Sequence, residues 1–182
     1  MRTPLPYLKF LLTATNEHGV HSPFIFNYVT KCLYTKPEYF RQKSRNILFK
    51  SVAYFGAERV RLPDSDEALK KQIEKQMRQQ FPSIQFENGP FDILFAHPSE
   101  AEKLVNAQST VAGKLKNPTS LEKNIHNDSL LLVDGIHENR AHLSLWEKLK
   151  NHPKTTVTVD LFYCGAIFFR QEQAEEHFRI RI

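Results

Sequence analysis

Residues 155–170 read TTVTVDLFYCGAIFFR, and this stretch decides the fold. Thr155–Phe162 is β-branched and alternating, the pattern of a strand with two distinct faces. Ala166–Arg170 reads as a second, shorter strand. Tyr163-Cys164-Gly165 lies between them as a tight antiparallel return. The two strands are expected to pair inside the main sheet, with Phe162, Phe168 and Phe169 buried.

Working upstream, Glu138–Lys150 has helical spacing, with Leu143, Trp146 and Leu149 on one face. Ser129–Val133 (SLLLV) and Phe91–Ala96 (FDILFA) are short apolar runs, as expected of strands covered on both sides. Between them a helix begins at Glu100–Val105, and the polar stretch Asn106–Asn117 is expected to be irregular or a short helix. Ser83–Phe86 is a further strand candidate. Asp64-Ser65-Asp66-Glu67 places acids at a helix start, and that helix runs to about Gln80 with a thin stripe of Leu69, Ile73 and Met77. Arg59–Leu62 is a short strand candidate. Asn46–Phe55 is rich in strand formers and is read as a strand that Gly56 ends.

The N-terminal part reads as a short helix over Tyr7–Thr15, a loop over Asn16–Pro23 and a helix over Phe24–Leu33. Phe24, Phe26 and Tyr28 carry too much apolar area to stay in water, so this segment is expected to dock on the same domain. The 182 residues thus form one domain, a helical lid segment over 1–45 and an α/β core over 46–182. Strand and helix alternate through the middle and a hairpin closes the chain. That order predicts a mostly parallel sheet flanked by helices, with an antiparallel strand at one side.

Composition narrows the functional classes. Hydrophobic residues make up 41% and include 14 Phe, which excludes a disordered chain. Net charge is +5, but the basic residues are dispersed and the densest patch, Arg41-Gln42-Lys43-Ser44-Arg45, is short. Nucleic acid is therefore not an expected partner. No apolar run is long enough to span a membrane, and Leu5–Leu12 is interrupted by Pro6 and Lys9, unlike a signal peptide. Cys32 and Cys164 stand alone, as suits a reducing compartment, and the expected location is cytoplasmic. By residue type, Cys32 reads as core packing and Cys164 as a turn residue. Walker, G-x-S-x-G and zinc-finger spacings do not occur.

Several segments together resemble the class I S-adenosylmethionine-dependent methyltransferases, of the small bacterial O-methyltransferase type. They are HGVHSPFIFNYVTKCLY (His18–Tyr34), FDILFA, NDSLLLVDGIH (Asn127–His137), WEKLKNHPKTTVTVDLFYCGAIFFR (Trp146–Arg170) and the closing EQAEEHFRIRI. The resemblance implies a Rossmann-like sheet. In it a fourth strand, a helix and a fifth strand are followed by a helix and two final strands, the last one antiparallel.

The middle of the chain departs from that family. Its members hold the cofactor on a glycine-rich turn after the first strand, where the backbone must come close. This chain offers only Gly56 in Phe55-Gly56-Ala57-Glu58, or Gly89 in Phe86-Glu87-Asn88-Gly89-Pro90. The first strand is either Asn46–Phe55 or what remains at Ser83–Gly89. Candidate cofactor contacts are Gly56, Glu87, Gly89 and, for the ribose, Asp64. The metal-dependent members place an aspartate after the FDILFA strand, where this chain has Ala96-His97-Pro98. Hard cations prefer oxygen, so a Mg²⁺ or Ca²⁺ site is disfavoured.

The remaining candidates stand at strand ends, where α/β folds keep their sites. Asp134, corresponding to an acidic position of the family, and His137 follow SLLLV within Asp134-Gly135-Ile136-His137-Glu138. With His97 they form the expected catalytic set, the two imidazoles facing one cleft and suited to acid–base work. Asp, His and Glu within five residues are metal-ligand types, and so is the His18/His21 pair, but neither is assigned as a metal site. The expectation is a methyltransferase-like protein with a degenerate cofactor site. It would bind no cofactor tightly and would act as a binding or scaffold protein for a small molecule or protein. The alternative is an active O-methyltransferase using adenosylmethionine through an atypical loop.

Overall fold

A computed structural model describes residues 4–87, 89–106 and 123–182. Six α-helices and six strands are found among them: α1 Pro4–Thr13, α2 Pro23–Tyr28, α3 Lys43–Phe55, β1 Val60–Arg61, α4 Glu67–Gln80, β2 Ile93–Ala96, α5 Pro98–Asn106, β3 Leu130–Asp134, α6 Arg140–Lys150, β4 Val157–Asp160, β5 Cys164–Phe168 and β6 Glu176–Arg179. The strands form one mixed sheet in the order β1-β2-β3-β5-β4-β6. β1 pairs parallel with β2, β2 with β3, and β4 with β6, whereas β5 is antiparallel to both β3 and β4. Five strands therefore run one way and β5 alone runs back; the antiparallel strand lies between β3 and β4 rather than at one side, and β6, parallel to β4, follows the hairpin expected to close the chain.

Alternate strand residues feed two apolar layers. On one face Val60, Ile93, Phe95, Leu130, Leu132, Val157, Val159, Ala166 and Phe168 pack with Ile25 and Tyr28 of α2, Ile47, Leu48, Phe49 and Val52 of α3, and Ile73 and Met77 of α4. On the other, Leu94, Ala96, Leu131, Val133 and Ile167 pack with Ala101 and Leu104 of α5 and Trp146 and Leu149 of α6. The helices have local stop and start signals. Asp66 accepts the Leu69 amide at 2.9 Å to cap α4, and Asn139 accepts the His142 amide at 2.9 Å to cap α6; each such cap contributes about 1 kcal/mol.

The expected hairpin is present. Val157↔Phe168 and Asp160↔Gly165 are in antiparallel register, and Phe162, Phe168 and Phe169 are buried. Its turn, however, is Leu161–Tyr163, where the Tyr163 amide donates to Leu161 O and Phe162 takes a left-handed φ of 67°. Cys164 and Gly165 are strand residues. Gly165 in β5 has no room for a side chain, because the indole of Trp146 rests on its α-carbon.

Asn46–Phe55 is helix α3, not a strand. Its β-branched and aromatic residues suggest extended chain, but its polar residues are buried at helical positions and tied to the preceding loop. Asn46 Oδ1 accepts the Tyr39 and Phe40 amides, and the Lys50 ammonium donates to the carbonyls of Leu33 and Thr35 at 2.9 and 2.6 Å. Tertiary burial overrides the weak local preference. Gly56 does end the element, as a left-handed cap with φ +60°. The first strand in the chain is then the short Arg59–Leu62 segment, as β1. Ser83–Phe86 contributes only a single bridge, Arg59↔Gln85. The expected polar stretch Asn106–Asn117 lies, after Asn106, outside the described residues.

The N-terminal segment docks on the sheet domain as expected. Thr15 bridges Ile180 in parallel, and Tyr28 is fully buried. The helix after Pro23 continues through Val29–Leu33 as a π-turn. Phe26, in contrast, is 42% exposed, and Leu143 sits at the wet margin of the α6 stripe at 36%. No described helix is long and apolar enough to cross a membrane.

Candidate functional site

Because β1, β2, β3 and β4 share a direction, the turns that follow them lie along one edge of the sheet. Three side-chain groups are built there.

The first lies between β3 and β4. The turn after β3 needs Gly135, whose φ is +67° and whose amide donates to Tyr163 O at 2.8 Å. Two residues on, His137 Nε2 meets both carboxylate oxygens of Asp160, at 3.0 and 2.9 Å. Asp160 also accepts the Phe162 amide at 2.9 Å and Arg179 Nε at 3.3 Å. Four donor contacts on a carboxylate that is 6% exposed leave it well compensated. Phe162 stacks on the His137 ring at 4.9 Å, and Phe10 of α1 meets it edge-on at 5.8 Å. α1 thus roofs this pair, and Arg179 Nη1 fastens the helix through Thr13 Oγ1 at 2.8 Å. The arrangement is a closed clamp.

The second group lies between β2 and β3. His97 follows β2, Glu138 closes the turn after β3, and His142 is in the first turn of α6. One ligand atom from each lies within 4.8 Å of the others. The His97 and His142 rings meet edge-on at 4.7 Å. His142 Nδ1 donates to Gly135 O at 3.1 Å, and His97 Nδ1 is 3.3 Å from Ser99 Oγ. The Glu138 side chain folds back across Gly135, so close that a β-carbon there would fall 2.7 Å from Glu138 Cδ.

The third group lies at β1. The Glu100 carboxylate accepts the Asp64 amide at 3.0 Å and the His97 amide at 3.2 Å, joining the turns after β1 and β2. Asp64 bonds Lys70 at 2.7 Å and Arg61 at 3.3 Å. The Lys70 bond, aided by Arg61, holds its carboxyl below the usual range against a smaller opposing effect of burial. A cleft of about 330 Å³ lies here, with Arg61, Pro63, Phe95 and Lys103 in its walls.

The sequence candidates are therefore divided. His97 and His137 do stand on one edge, but His97 meets His142 while His137 meets Asp160. Asp134 ends β3 opposite Cys164. Gly56, Glu87 and Gly89 precede β1 and β2, at the amino-terminal edge of the sheet, whereas Asp64 follows β1. Asp66, the other acid near β1, caps α4. His18 and His21 are exposed, and neither joins a three-ligand cluster among the described residues. Sequence reasoning missed Asp160, Glu138 as a partner of His142, and Arg179. Two signals were available: an acid ending an alternating strand, and the Glu138/His142 spacing of four across a helix start.

No family model matches the chain, and no curated protein matches it.

Proposed function

We propose that this chain is a methyltransferase-like protein with a Rossmann-like sheet that works by binding, as a scaffold or ligand-holding protein, and does not transfer methyl groups from adenosylmethionine. The strand order supports the family reading. β2, α5, β3, α6, β4 and then a lone antiparallel β5 follow the succession that the resemblance implies, and the parallel β6 after them departs from it. The observation that carries the loss of cofactor binding is the Glu100 bridge. A cofactor carboxylate needs free backbone amides and close approach at the turn after the first strand. Here that turn contains Pro63, which has no N–H, and no glycine, and the amides of Asp64 and His97 are already donated to the chain's own carboxylate. An incoming carboxylate would meet Glu100 in its place. A binding role has support on α1, where Leu5, Leu8 and Leu12 present an exposed apolar stripe at i, i+3 and i+7. Calorimetric titration with adenosylmethionine and with adenosylhomocysteine tests the reading. The expected result is no micromolar binding of either, and micromolar binding of one overturns it in favour of an active enzyme.

A further inference from the structure

We propose that His97, Glu138 and His142 form a binding site for a zinc-class divalent cation at the carboxyl ends of β2 and β3. Three observations carry this beyond a chance cluster. First, the residues come from three different elements, the turn after β2, the turn after β3 and the first turn of α6, yet one ligand atom of each lies within 4.8 Å of the other two. Second, the His142 imidazole is held as ligating histidines are held. A carbonyl can only accept, so Gly135 O fixes the proton of His142 on Nδ1 and leaves the Nε2 lone pair for a metal. Ser99 Oγ, which can donate or accept, holds the His97 ring through Nδ1 at 3.3 Å. Third, the backbone is shaped to bring the carboxylate in. Gly135 has φ +67°, and its missing β-carbon is what lets Glu138 lie across the turn beside His142.

The donor set decides the class of ion. Two nitrogens and one carboxylate suit Zn²⁺, Co²⁺ or Ni²⁺, whereas Mg²⁺ and Ca²⁺ require mostly oxygen. Three protein ligands leave one tetrahedral position for water or for a group of a bound molecule. The site does not depend on the His137–Asp160 clamp or on adenosylmethionine, so its test is separate from that of the proposed function.

The test is titration of the full chain, stripped with chelator, by Zn²⁺ in a calorimeter and by Co²⁺ in visible absorption. One equivalent should bind with micromolar or tighter affinity, raise Tm, and give the d–d bands of a tetrahedral nitrogen–oxygen site; Mg²⁺ should do none of this. His97→Ala and His142→Ala should each weaken Zn²⁺ by at least about tenfold. The half-exposed Glu138→Gln should do the same where a histidine variant folds poorly, as judged by circular dichroism. The double variant His18→Ala/His21→Ala should bind as the parent does. Failure of the parent chain to bind Zn²⁺ more tightly than millimolar overturns the proposal. So does equal binding by a folded His97→Ala/His142→Ala chain, or equal stabilisation by Mg²⁺.

Discussion

The indole of Trp146 lies directly on the α-carbon of Gly165, so helix α6 meets strand β5 there through the ring alone. Both residues are buried, and any β-carbon at 165 would overlap the ring. Gly165→Ala should destabilise the chain by about 1–3 kcal/mol, the usual cost of overpacking. Urea denaturation checks this. Trp146 is the single tryptophan, so native-state emission should shift in the same variant.

Removing the acceptor of the closed clamp should cost more. Asp160→Ala leaves His137, Arg179 and the Phe162 amide without their shared carboxylate. Breaking a buried, fully bonded charge typically costs about 3–5 kcal/mol. Because Arg179 and His137 also hold Thr13 and Phe10, limited proteolysis should cut the α1 region of the variant before the rest.

Asp92 should contribute to the acid limb of stability. Burial by itself would raise its carboxyl, but the amides of Arg59 and Glu58, together with His126, outweigh burial and hold it below 3.8. A depressed folded-state value means that the unfolded chain takes up the proton first. The contribution is therefore complete above about pH 4, where the unfolded carboxyl is ionised, and is lost as pH falls through the folded value. Urea midpoints followed from pH 6 to pH 3 should show the gap between the parent chain and Asp92→Asn narrowing below pH 4. A gap that stays constant contradicts this account.

Neither cysteine should react with a thiol reagent in the native chain. Burial pushes the Cys32 thiol up to about 12, against smaller opposing effects of Ser51 and Lys50. Burial, then the charges of Asp134 and Asp160, raises Cys164 well above the ordinary range. The reactive thiolate is thus suppressed at both. At pH 8 an aromatic disulfide reagent should label no thiol before unfolding and two in urea.

The sequence was legible where a local pattern and burial agreed. The runs SLLLV, FDILFA and TTVTVDLF contain strands β3, β2 and β4 because almost every residue of those strands is covered on one face or the other. Asn46–Phe55 was not legible, because the bonds that bury Asn46 and Lys50 reach back to residues 33–40 and leave no trace in the helix's own spacing. β6 is an edge strand whose Glu176, His177 and Arg179 carry no apolar signal. At the candidate site, the positions of His97 and His137 after apolar strands were readable from the alternation of elements. Their partners were not, since which side chain meets Asp160 and which meets His142 is set by the register of neighbouring turns. The absence of a glycine after β1 was visible as composition, but the Glu100 bridge that takes up the free amides appears only when β1 and β2 are side by side.

The bridge between Thr15 and Ile180 carries a consequence for the order of assembly. The Thr15 amide donates to Arg179 O, and the Arg181 amide donates back to Thr15 O. The ring of Phe10 needs Phe162 to rest on. None of these partners exists while the ribosome is still making the middle of the chain. Helix α1 is synthesised first among the described helices, yet it has nowhere to seat until some 170 further residues have emerged. Until then Tyr7 and Phe10 remain in water beside Leu5, Leu8 and Leu12. The seat of helix α1 is therefore completed by residues 179–181, so the helix can close onto the sheet only once that distant segment is in place beside β4.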